Sequence, residues 1–142
     1  MTYTAELFFY SMLAGGGYLL VVELALAPIE RALDRAGLWD DFPERLRKVR
    51  RTISLNDYIT QLALFVALPA ALYSWMYLML PLEGARQGVA IALWTVLIGG
   101  APMGFMIGSR ARIPAAALVY LLLTHLVKLA GCLAILGYIF SL

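Results

Sequence analysis

The sequence predicts an all-α membrane protein: a bundle of four transmembrane helices with a basic amphipathic helix at the membrane surface in the first cytoplasmic loop. Three observations predict it. The 142 residues are 63% hydrophobic and only 14% charged, against roughly a quarter charged in a soluble domain. The apolar residues fall into four continuous runs rather than an alternating pattern, and a spanning segment that satisfies its own backbone hydrogen bonds is a helix. The basic residues gather in alternate connections between the runs. So short a chain has no core able to hide this much apolar surface from water, which excludes an ordinary soluble enzyme or a disordered tail. The single cysteine, Cys132, excludes an internal disulfide framework and a Cys-x-x-Cys pair. The chain reads as one membrane domain over residues 1–142.

The first span covers residues 5–27 and is closed by Pro28. It resembles a signal peptide only superficially, because its leading segment has Glu6 and no Lys or Arg. Residues 28–54 form the one substantial loop. Pro28 to Ala36 extends the helix until Gly37 stops it. Asp41 and Glu44 then stand at capping-box spacing with Pro43 in the first turn, which predicts a second helix. On it Phe42, Leu46, Val49 and Ile53 form a narrow apolar stripe, and Arg47, Lys48, Arg50 and Arg51 take the opposite arc. With Arg45, these basic residues are the expected contacts to anionic lipid headgroups. The second span, 55–80, begins at Ser54 and Asp57, again at capping-box spacing, and ends before Pro81. Gln61, four residues after Asp57, keeps a polar role open there.

The third span, 88–107, carries small residues at nearly every fourth position from Gly84 through Gly88, Ala92, Gly100 and Gly104 to Gly108, with Pro102 placed to bend it. Helices in lipid associate through such close-packing faces. Gly15, Gly16 and Gly17 offer the same in the first span. These six glycines, Gly15–Gly17 with Gly100, Gly104 and Gly108, are the expected helix-packing positions, within the chain or between copies. The fourth span, 115–142, adds Gly131 and Gly137. Each span is long enough to cross about 30 Å of hydrocarbon at 1.5 Å per residue.

Of eleven Lys and Arg residues, seven lie between the first and second spans, two between the third and fourth, one in the second loop, and Lys128 within a span. Four crossings put nine of the ten loop charges on one side. The positive-inside rule makes that side cytoplasmic and both termini external, in a plasma membrane of bacterial type.

Among the ionisable residues inside the predicted spans three stand out: Glu23 in the first, His125 and Lys128 in the fourth. Such groups are costly in hydrocarbon and mark functional or packing contacts. Helical side chains lean toward their own N-terminus. In antiparallel first and fourth spans the three groups therefore converge, and a Glu23–His125–Lys128 network becomes possible. It is either a polar clasp that fixes helix register or contacts a partner, or a relay for protons or ions.

One histidine excludes bis-histidine haem ligation within the chain. No zinc-like ligand cluster, phosphate loop or nucleophile elbow is present in the sequence. No catalytic residue, metal or cofactor is expected, and the enzyme reading is the weakest. The leading expectation is an accessory or scaffold subunit of a membrane complex, touching lipid and either a partner subunit or further copies of itself, with no nucleic acid. The alternative is a small oligomeric proton- or ion-coupled transporter or channel.

Overall fold

In the computed structural model, residues 2–37, 55–76 and 84–141 are described, and every element among them is helical. Helix α1 is Thr2–Arg35. Helix α2 joins Leu55–Leu62, a wide π turn at Ala63–Ala67, and Leu68–Met76. Helix α3 joins Gly84–Thr95, a second wide turn at Val96–Gly100, and Ala101–Arg110. Helix α4 is Ala115–Ser141. Three stretches, Ala5–Arg35, Gly84–Arg110 and Ala115–Phe140, are long and apolar enough to cross a membrane, which marks the chain as a membrane protein. The described apolar stretch of α2, Tyr58–Leu72, is shorter.

The two wide turns have one cause. Each ends two residues before a proline, Pro69 in α2 and Pro102 in α3. A proline inside a helix lacks the N–H that the carbonyl four residues back requires, and its ring presses on that carbonyl. Widening the preceding turn relieves the clash. The backbone N–H of Leu68 then reaches Ala63, and that of Ala101 reaches Val96. In α3 the extra residue also corrects the glycine face. Gly88 and Gly104 are sixteen positions apart, which in a straight helix turns them about 160° from one another; one inserted residue takes back about 100°. Gly88 and Gly104 thus both meet α4.

Pro28, which closes the predicted first span, does not interrupt the helix, which runs through it to Arg35 as the predicted extension to Ala36 requires. Contacts to α4 hold α1 on both sides of the proline: Glu23 bonds Lys128 and Glu30 accepts from Tyr120. That clamp offsets the lost backbone bond. The stop at Gly37 is where the sequence places it, with φ of +80°. Helix α3 starts four residues earlier than the expected 88, at Gly84, whose φ of +81° belongs to the left-handed region that glycine enters without strain.

Helix α4 is the hub. It touches α1, α2 and α3; α1 and α2 also touch each other, whereas among the described residues α3 packs on α4 alone. The apolar core lies in the C-terminal half of α4, where Leu129, Cys132, Leu133, Leu136 and Phe140 meet Phe65, Val66 and Ala70 of α2 and Ala92 and Val96 of α3. The α3–α4 seam is closest at glycine. A Cβ on Gly88 would overlap the backbone carbonyl of Leu133, and one on Gly137 would lie 2.5 Å from the carbonyl of Gly84.

Candidate functional site

The polar contact at membrane depth is built on Lys128. Its ammonium lies 2.5 Å from Glu23 Oε1 of α1 and donates to Gln61 Oε1 of α2 at 3.1 Å. One side chain thereby ties three helices. The Lys128 and Glu23 side chains are 13% and 23% exposed, so the charges are largely withdrawn from their surroundings. Counted along α4, Lys128 stands thirteen residues from Ala115 and about 20 Å from that end. Its flexible stem leans toward the helix N-terminus, which brings the ammonium down to the carboxylate.

Two further bonds flank the ion pair along the α1–α4 seam. Tyr18 Oη donates to the backbone carbonyl of Val127 at 2.9 Å, and Tyr120 Oη donates to Glu30 at 3.4 Å. Tyr18 lies over Gly131, where a Cβ would overlap its ring. On the α1–α2 seam Tyr58 Oη donates to the carbonyl of Gly16 at 3.0 Å, and Gly15 receives Val66.

His125 is not part of this contact. Its ring sits against Phe65 of α2, centroids 4.9 Å apart, and the residue is exposed. Among the described residues its nitrogens have no hydrogen-bond partner within the chain. Of the predicted packing glycines, Gly15, Gly16, Gly104 and Gly108 face neighbouring side chains within the chain. Gly17 opens onto space, and Gly100 has only Val96 of its own helix nearby. Gly88, Gly131 and Gly137, outside that predicted set of six, make the tightest approaches. Arg45, Arg47, Lys48, Arg50 and Arg51, and the amphipathic helix that carries them, lie outside the described residues. Gln61 is the contributor that sequence reasoning left open; the signal was an amide one turn into an apolar helix. Among the described residues no group of three His, Cys, Asp or Glu side chains is arranged to hold a metal ion.

Compared with protein-family models, curated proteins and solved structures, the chain matches none.

Proposed function

We propose that the chain is a four-crossing plasma-membrane protein acting as an accessory or scaffold subunit of a membrane complex, with both termini outside and the basic loops in the cytoplasm. The number of crossings is supported by the direction of the seams. Tyr18, Glu23 and Glu30 of α1 meet Gly131, Lys128 and Tyr120 of α4 in descending order, so the two helices are antiparallel. An antiparallel first and last helix fits an even number of crossings, which supports reading α2 as a span.

The observation that carries the subunit reading is the closed Glu23–Lys128–Gln61 contact. An intramembrane carboxylate and ammonium that satisfy one another, with an amide taking a further N–H, form a fastening that fixes helix register. Many large apolar side chains remain exposed, and α3 is the least covered helix: 11% of its most apolar stretch is buried, against 22% for α1 and α4. Lipid or partner helices cover such a surface. The experiment is affinity purification in mild detergent. A stoichiometric foreign membrane protein supports the reading; a pure, functional oligomer of this chain overturns it.

The second reading is a small proton- or ion-coupled transporter, favoured by the placement of an ionisable pair across three helices inside the membrane. In proteoliposomes, flux that vanishes in Glu23→Gln while the fold persists supports that reading.

A further inference from the structure

Among the described residues, no helix covers the arc of α4 where His125 stands. Leu122, three residues before it, receives Gly104 of α3; Lys128, three residues after it, reaches Gln61 of α2. Three residues along a helix turn it by about 300°, so His125 lies about 60° from each and between them. Among the described residues, the backbones of α2 and α3, which would be the walls of that arc, do not approach one another closely. This arrangement leaves room for a cleft floored by the exposed imidazole and walled on one side by Phe65.

The cleft has more polar groups than the imidazole. In the wide turn of α2 the N–H of Leu68 is taken by Ala63. The carbonyl of Leu64 therefore loses its α-helical donor, and the next position, Pro69, has no N–H to offer. This unmatched carbonyl is one residue from Phe65. On α3, which runs antiparallel to α4, the 60° step from buried Ala92 to exposed Thr95 turns toward α2. The Thr95 hydroxyl donates to Ile91 and keeps its lone pairs free to accept.

One end of this cleft is closed. Beyond His125, toward the C-terminus of α4, Leu129, Cys132 and Leu136 are buried against Phe65, Ala70, Ala92 and Val96. The other end leads toward Ala115 and the connection bearing Arg110 and Arg112. Counted along α4, His125 is about 15 Å from that end and about 22 Å from Phe140. Hydrocarbon satisfies neither an imidazole nor a free carbonyl, and intramembrane polar groups of this kind line water-filled cavities.

We infer that the arc between α2 and α3 is a blind, water-filled cleft that opens on the Arg112 side of the membrane and ends at His125. Its ligand is water, hydrogen-bonded to the imidazole and to the carbonyl of Leu64. The apolar seal makes it a vestibule and not a pathway. It is separate from the Lys128 contact and holds whether the chain serves as a subunit or as a carrier.

The test labels single cysteines with a membrane-impermeant, positively charged methanethiosulfonate in vesicles of known orientation. A thiol reacts as the thiolate, which requires water. His125→Cys is expected to react from the Arg112 side, at least about tenfold faster than Leu123→Cys on the exposed lipid-facing arc. Native Cys132, behind the seal, stays unmodified. A second measurement uses the unaltered chain in lipid nanodiscs. Deuterium exchange at the imidazole C2 of its one histidine, read by mass spectrometry, is expected to approach that of a free peptide. Reaction of His125→Cys no faster than Leu123→Cys, reaction only from the far side, or strong protection of the imidazole in the unaltered chain each overturns the proposal. These are the results that a second copy, a partner helix or lipid filling the cleft would give.

Discussion

Lys128 holds three helices with one ammonium group, and the energetic consequence is asymmetric. Deleting one member of a buried ion pair leaves the other charge in a poor solvent and costs about 3–5 kcal/mol, whereas removing both members together costs far less. Lys128→Met is therefore expected to lower stability by about 3 kcal/mol, and Glu23→Gln added to it is expected to recover most of that loss. Denaturant unfolding in bicelles, with the two single variants and the double variant in one cycle, measures this directly; additive losses would falsify the pairing. Gln61→Leu removes a neutral amide and is expected to cost only about 0.6–1.7 kcal/mol, the range of polar contacts between membrane helices. Glu23 and Lys128 were legible in the sequence as misplaced charges, and their leaning directions brought them together. His125 shared a face with Lys128 on the same reasoning, yet it stands apart. A 60° difference in rotation decides which of two side chains enters a seam, and residue spacing without the neighbouring helix does not supply that angle.

At the scale of the element, the two prolines account for local structure that hydropathy misses. A run of apolar residues reads as an uninterrupted helix, while Pro69 and Pro102 each impose a wide turn immediately upstream. The bend at Pro102 was legible from the sequence; its use in realigning the glycine face was not, because that depends on where α4 lies. The same seam separates glycines of different roles. Gly88→Ala is expected to cost about 1–3 kcal/mol, since its new methyl meets the rigid backbone of Leu133 and pushes α3 off α4. Gly99→Ala adds a methyl in open space and is expected to be neutral, or to stabilise by up to about 1 kcal/mol through helix propensity. Unfolding midpoints of the two variants in the same detergent mixture check the contrast. Equal losses at both positions would place the α3 interface on the wrong face. Pro28 adds a complementary lesson: a proline ends a helix only where nothing on either side holds it in line.

For the whole molecule, the distribution of arginine and the direction of the helix seams bear separately on the proposed four-crossing topology. The charge argument counts residues in connections and places nine of ten loop charges together when there are four crossings. The seam argument uses only which residues meet: Tyr18 with Val127 and Glu30 with Tyr120 along α1 and α4, then Gly88 with Leu133 and Gly108 with Leu118 along α3 and α4. Both pairs run in opposite directions. Three crossings would require α1 and α4 to be parallel and would set the Arg31–Arg51 loop and the Arg110–Arg112 turn on opposite faces. Fusion reporters separate the alternatives. Alkaline phosphatase joined after Leu142 is expected to be active, and a green fluorescent protein there dark. The same reporters placed after Arg112 are expected to give the reverse, because the proposed topology puts that turn and the connection containing Arg45 to Arg51 on the cytoplasmic face. An active phosphatase after Arg112, or a fluorescent C-terminus, would overturn that topology, either by inverting it or by leaving α2 short of a crossing. It would also move the mouth of the His125 cleft to the outer face, since the cleft opens wherever Arg112 lies.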